Sequence, residues 1–153
     1  MQELLDATEL GYELLQMKKR SCLWVLTLLL LVCEKMTRKI IYAEDDPDIR
    51  KLLGLVIKSV ADVQFVGVGT GEELVNEVRN GGYSLVLTDN DMPPGMTGLV
   101  AIKEIRKFDK GIPIFMYSGS DVRGLALQRG ATGYIDKNGT KEVTETVQSY
   151  LKR

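Results

Sequence analysis

From Met36 to Arg153 the chain alternates five times between a short run of aliphatic and aromatic residues and a longer segment whose apolar residues recur at helical spacing. The short runs are Lys39 to Ala43, Asp62 to Val68, Ser84 to Thr88, Ile112 to Ser118 and Thr132 to Asp136. Several are apolar at consecutive rather than alternate positions, which marks strands buried on both faces. Between them, Ile49, Leu52, Leu53, Val56, Ile57 and Val60 form one helical stripe, and Val143, Val147, Tyr150 and Leu151 form another. Leu74 with Val78, Leu99 with Ile102 and Ile105, and Val122 with Leu125 and Ala126 fill the remaining helical slots. A strand covered on both sides needs helices above and below it, reached by right-handed crossovers. The expectation is an α/β domain: a doubly wound, five-stranded parallel sheet in (βα)5 order, each helical stripe facing the sheet.

In such a sheet ligands gather outside the carboxyl ends of the strands, so the residues that end each strand carry the information. The first strand ends in Glu44-Asp45-Asp46, the third in Asp89 followed by Asp91, the fourth in Ser118 and the fifth in Lys137. Taken singly, each has an ordinary explanation. Asp46 before Pro47 suits a helix start, Asp89-Asn90-Asp91 ahead of Pro93-Pro94-Gly95 suits a turn, Ser118-Gly119-Ser120-Asp121 suits a loop and cap, and Lys137 suits a solvated charge. Their joint placement on one edge asks for more. Acids converging at low dielectric repel one another unless a cation lies among them. Oxygen ligands without His or Cys favour Mg²⁺ or Mn²⁺, which bind through a few carboxylates and phosphate oxygens. Ser118 and Lys137 then supply a hydroxyl donor and a point positive charge, as a phosphoryl group requires.

Composition narrows the chemistry further. The chain has no histidine, which removes Ser-His triads, His-ligated zinc and a phosphohistidine carrier role. Cys22 and Cys33 are the only cysteines, too few for a four-thiolate zinc site or a disulfide framework, and a reducing, cytoplasmic compartment is the expectation. With 20 basic against 21 acidic residues, a formal net charge of -1, no global positive field draws the chain to nucleic acid or anionic lipid, so direct nucleic-acid binding and membrane binding are not expected.

Residues 1–35 differ in character. Cys22 to Cys33 reads CLWVLTLLLLVC, an apolar run well short of the ~20 residues that span a bilayer as a helix. Three readings of this leader stay open: a dispensable extension ahead of a start at Met36, a helix that docks on the domain, a partner or another copy, or a shallow membrane contact. The segment from Met36 onward is large enough to bury its own core without it.

Residues 36–153, with EDDPDIRKLL, LVLTDNDMPPGMTG, IFMYSGS and GATGYIDKN in order, resemble a response-regulator receiver domain of the CheY type, whose fold is flavodoxin-like. The resemblance implies that Asp89 is the phosphoacceptor and that Glu44 and Asp45 are the acidic pair. It implies Mg²⁺ held by the side chains of Asp45 and Asp89 and the backbone carbonyl of Asp91, with Ser118 as the switch hydroxyl, Lys137 as the site lysine and Tyr134 as the aromatic that rotates between exposed and buried positions. The implied role is a stand-alone module of two-component phosphorelay signalling, a phosphoacceptor rather than an enzyme. It would take its phosphoryl group from a histidine kinase or histidine phosphotransfer protein and switch a partner-binding face.

This sequence departs from the family pattern in four places. Glu44 stands where aspartate is commoner, and the loop from Met92 to Gly98 is one residue longer than usual, without the usual acid before Gly98. Asn138 follows Lys137 where proline is usual, which removes the ordinary ground for a cis peptide, and Gly119 after Ser118 leaves the site open to water. Two other readings remain: a Mg²⁺-dependent phosphohydrolase using Asp89 as nucleophile and Asp91 as acid, and a receiver-fold binding module that works without phosphorylation.

Overall fold

Each strand of the domain starts a βα unit whose helix folds back over the sheet. The computed structural model describes residues 38–151, and the expectations for residues 1–35, including Cys22 and Cys33, lie outside the described residues. The elements in chain order are β1 Arg38–Ala43, α1 Pro47–Val60, β2 Val63–Val68, α2 Gly71–Asn80, β3 Leu85–Thr88, α3 Gly98–Phe108, β4 Ile114–Ser118, α4 Arg123–Gln128, β5 Gly133–Asp136 and α5 Thr140–Leu151. The strands form one sheet of order β2-β1-β3-β4-β5, and every pair is parallel. This is the doubly wound, flavodoxin-like arrangement that the sequence led us to expect.

Strand alternation sorts the core into two layers, because successive side chains leave opposite faces of a strand. Ile40 and Tyr42 of β1 join Leu53 and Ile57 of α1 and Val143 and Val147 of α5 on one face. Ile41 and Ala43 join Leu74, Val75 and Val78 of α2, Ala101, Ile102 and Ile105 of α3, and Ala126 of α4 on the other. The consecutive apolar residues of β1 thus reflect two cores sharing one strand.

The helix starts are set locally. The Asp46 carboxylate accepts from the backbone N–H groups of Asp48 at 2.8 Å and Ile49 at 3.2 Å, and Pro47 takes the first helical position, where no N–H is needed. At α2, Thr70 Oγ1 accepts from Glu73 N–H at 3.2 Å while the Glu73 carboxylate accepts from Gly69 N–H at 2.8 Å, a reciprocal cap. By contrast Val122, at the start of α4, offers no side-chain cap, so the loop Ser118 to Asp121 does not serve as one. The cis peptide among the described residues is Pro93–Pro94, and Lys137–Asn138 is trans.

Two helical stripes are narrower than their sequence pattern. On α1 only Leu53 and Ile57 of the six apolar positions are fully buried, whereas Ile49 and Leu52 are exposed. On α4 Ala126 is buried but Leu125 is exposed. A helix lying on a sheet buries the arc that touches it, so residues at the flank of a wide apolar stripe stay in water. None of the helices among the described residues is long and apolar enough to cross a membrane.

Ile57 is fully buried and Leu52, on the same helix, is 59% exposed, so the two positions separate core from flank. Ile57→Ala is expected to cost about 2–5 kcal/mol, and Leu52→Ala about 0.5 kcal/mol or less, in chemical denaturation with an unchanged slope.

Candidate functional site

An apolar core that turns polar at one end needs a reason. The buried polar side chains among the described residues are Glu44, Thr88, Asp89 and Ser118, all at the carboxyl ends of β1, β3 and β4. The backbone ladder runs one residue past these strands. Glu44 N–H donates to the Val68 carbonyl at 3.0 Å, Asp89 N–H to the Ala43 carbonyl at 2.9 Å, and Lys137 N–H to the Ser118 carbonyl at 3.3 Å. Residues up to 93 positions apart in sequence therefore come into direct contact.

Lys137 is the centre of the cluster. Its Nζ donates to Glu44 Oε2 at 2.6 Å and to Asp89 Oδ2 at 2.7 Å. Burial by itself lowers the pKa of Lys137, but the hydrogen bonds to Asp89 and Glu44 outweigh it and hold the ammonium above its ordinary 10.5. Glu44 Oε2 also accepts the Tyr42 hydroxyl, whose pKa is pushed far up, first by burial and then by that hydrogen bond. The second Asp89 oxygen, Oδ1, accepts from Asn90 N–H at 2.6 Å. Both oxygens of Asp89 are thus held, by partners on two different strands' ends.

Asp45 completes the acidic group from the exposed side. One carboxylate oxygen from each of Glu44, Asp45 and Asp89 lies within 4.8 Å of the others. The Lys137 ammonium is hydrogen-bonded to two of these three carboxylates, so the carboxylates exceed it by two formal negative charges. Hard oxygen donors with that excess fit Mg²⁺ or Mn²⁺.

Ser118, 1% exposed, ends β4 beside this group, and its Oγ accepts from Ser120 N–H at 3.3 Å. Tyr134 is buried, its hydroxyl 2.8 Å from the Ser118 carbonyl and 2.7 Å from the Ser120 carbonyl, with the Arg123 guanidinium 4.8 Å above the ring. Asp91 sits apart from the carboxylate cluster. Its side chain is exposed and accepts from Ser120 Oγ at 2.5 Å and from Asn90 Nδ2 at 2.9 Å. The loop after Asp89 returns closely: a Cβ on Gly98 would lie 1.9 Å from the Asp89 carbonyl oxygen, so only glycine fits there.

Four residues of this network were not evident in the sequence. Tyr42 lies inside the first strand run, Asn90 in the turn after Asp89 and Ser120 in the loop after Ser118, and Arg50, whose Nη1 donates to the Glu44 carbonyl, had no assigned role. Their roles depend on which strand end lies next to which, and only the position of Ser120, two residues after Ser118, carried a hint.

The arrangement meets its match among known proteins. A family model of the response regulator receiver domain matches residues 40–148. The chain belongs to the response regulator receiver family. Receiver domains are phosphoacceptors that receive phosphate from histidine kinases and bind Mg²⁺ at an acidic pocket, and the Glu44, Asp45 and Asp89 group is compatible with such a pocket.

This receiver is 32% identical over 125 residues to the DNA-binding response regulator MtrA of Mycolicibacterium smegmatis, covering 78% of this chain and 53% of MtrA. It is 30% identical over 105 residues to a protein-glutamate methylesterase/protein-glutamine glutaminase of Paramagnetospirillum magneticum, covering 65% of this chain and 27% of that protein. The chain therefore spans about half or less of these curated relatives. Among solved structures it is similar to the response regulator TrrA of Thermotoga maritima in complex with Mg²⁺-BeF, at 29% identity and a TM-score of 0.69, covering 74% of this chain and 99% of that one.

Removing the ammonium isolates the receiver's electrostatics. Lys137→Met leaves Glu44 and Asp89 without a counter-charge, and with Lys137 20% exposed the expected loss is about 2 kcal/mol, between the ~0–1 kcal/mol of surface pairs and the ~3–5 kcal/mol of broken buried ones. Because the folded-state pKa of Lys137 is raised, the wild-type contribution is complete below 10.5 and is lost as pH rises through the raised value. Thermal midpoints measured against pH should therefore converge for the two proteins in alkali and differ at neutral pH.

Proposed function

We propose that Asp89 is the phosphoacceptor of this receiver, that Asp45, Asp89 and the backbone carbonyl of Asp91 hold Mg²⁺, and that phosphorylation switches a face read by a protein partner. The observation that supports this furthest is the Lys137 bridge between Asp89 and Glu44, beside the buried hydroxyl of Ser118. Mg²⁺ bound there supplies charge neutralisation at the phosphoryl oxygens during transfer.

The chain's own residues do the rest. An Asp89 carboxylate oxygen forms the bond to phosphorus, and the donor's bond to phosphorus breaks. From a kinase or phosphotransfer protein that bond is P–N, and the imidazole nitrogen leaves with the electron pair. The hydrogen bonds from Lys137 and Asn90 orient the Asp89 carboxylate before the donor arrives, which removes part of the entropic barrier. Lys137 then follows the new negative charge, while Glu44, held by Tyr42, keeps the ammonium from swinging into solvent. Ser118 offers its O–H to a phosphoryl oxygen.

The phosphohydrolase reading needs the Asp91 carboxylate aimed at the reacting phosphate. That carboxylate is instead engaged by Ser120 and Asn90, outside the cluster, so the receiver reading is the better supported.

Movement of Ser118 toward the phosphoryl group has a ready path outward. The Tyr134 hydroxyl lies against the Ser118 and Ser120 carbonyls, so a shift of that loop changes what the buried ring packs against. Leu125 and Leu127 of α4, the helix that leads into β5, are exposed, and the proposed reading face is the one formed by α4, β5 and α5. This is a two-state element biased by a local charge.

Incubated with a small acyl phosphate and Mg²⁺, the wild-type chain should gain the mass of one phosphoryl group, and Asp89→Asn should gain none; a gain that persists in Asp89→Asn places the nucleophile elsewhere. On adding beryllofluoride and Mg²⁺, amide shifts should extend to Tyr134 and α4. Shifts confined to the loops after β1, β3 and β4 would show that Tyr134 is an ordinary buried strand aromatic.

A further inference from the structure

Adjacent residues of a strand send their side chains to opposite faces and their carbonyls to opposite sides. Two acids in succession do not, on that geometry, face the same point. Yet Glu44 and Asp45 both bring a carboxylate oxygen within 4.8 Å of Asp89, so the chain must turn between them. One guanidinium nitrogen marks the turn. Arg50 Nη1 donates to the Glu44 carbonyl and lies 3.4 Å from the Asp45 carbonyl. A single donor reaches two consecutive carbonyls only where the backbone bends toward it.

The route of that side chain is also specified. Arg50 lies one turn into α1, and its stem passes over Gly67 of the neighbouring edge strand β2, where a Cβ would come within 2.7 Å of Arg50 Cγ and 2.8 Å of Cδ. Any side chain at 67 displaces the stem. We propose that Arg50 is a positioning residue that braces the Glu44–Asp45 turn from behind, and that Gly67 is the gap through which it reaches that turn. The inference rests on the reading of Glu44, Asp45 and Asp89 as the Mg²⁺ site and adds what holds that site in shape.

Charge and geometry give opposite signs here. As a point charge near the acids, Arg50 opposes a divalent cation, and its removal would tighten Mg²⁺ binding. As a brace, its removal loosens the pair of ligating residues, and groups that orient metal ligands typically contribute about 10–100-fold in affinity.

The test is a titration of the full chain with MgCl₂, followed by calorimetry and by the backbone amide resonances of Glu44, Asp45 and Asp46. Arg50→Ala should bind Mg²⁺ about 10–100-fold more weakly, and Arg50→Lys should fall between it and wild type. Gly67→Ala should weaken binding in the wild-type background and add little in the Arg50→Ala background. Lys51→Ala, which removes a neighbouring exposed cation, should leave binding unchanged or slightly tighter. Equal or tighter Mg²⁺ binding by Arg50→Ala overturns the brace, as does a Gly67→Ala effect that is undiminished without Arg50. Should Arg50→Ala fail to fold, Arg50→Lys and Gly67→Ala carry the same test. If wild type binds no Mg²⁺, the metal reading fails by itself; the metal-free resonances then decide the brace, which is overturned if those of Glu44 to Asp46 are unmoved by Arg50→Ala.

Discussion

One ammonium group between two buried carboxylates organises this molecule. Glu44 and Asp89 sit where an otherwise apolar core meets its carboxyl edge, and neither charge is tolerable there alone, because desolvation costs several kcal/mol per ion unless a partner is present. Lys137, from the last strand, reaches both. The sheet must hold β1, β3 and β5 ends at the correct spacing for this to happen, so the order β2-β1-β3-β4-β5 and the electrostatics of the edge are one constraint seen twice.

Neutralisation is deliberately incomplete in chemical terms. With Asp45 counted, the carboxylates exceed the ammonium by two charges, a deficit that a hard divalent cation fits. The same deficit shapes the surrounding hydrogen bonds. Tyr42 and Asn90 donate to the carboxylates, and Arg50 Nη1 donates to the backbone carbonyls of Glu44 and Asp45. Of the three carboxylates, Asp45 alone lies on the exposed side.

The opposite side of the site is a chain of hydrogen bonds that links three loops. Ser118 is buried at the end of β4, and its carbonyl, with that of Ser120, meets the hydroxyl of Tyr134 from the neighbouring strand. Ser120 in turn donates to Asp91 in the loop after β3. Displacement of any one of these loops changes hydrogen bonds in the next, and tightly packed side chains move between discrete arrangements rather than by degrees.

Sequence alone determined the architecture and the edge. Consecutive apolar residues such as Ile40-Ile41-Tyr42 read as a strand between two layers, and acids, serine and lysine at successive strand ends of a parallel sheet meet on one side of it. Caps were equally legible, since Asp46 and Pro47 act within a few residues of themselves. Tertiary structure decided how the three acids in a row divide their work: Glu44 inward to Lys137, Asp45 outward, Asp46 onto the helix. It also decided that Asp91 turns to Ser120, that Ile49, Leu52 and Leu125 stay in water, and that Arg50 passes over Gly67. Periodicity records which face of an element is apolar, but the aim of a charged side chain depends on neighbours brought from distant parts of the chain, and that geometry exists only after the sheet has closed.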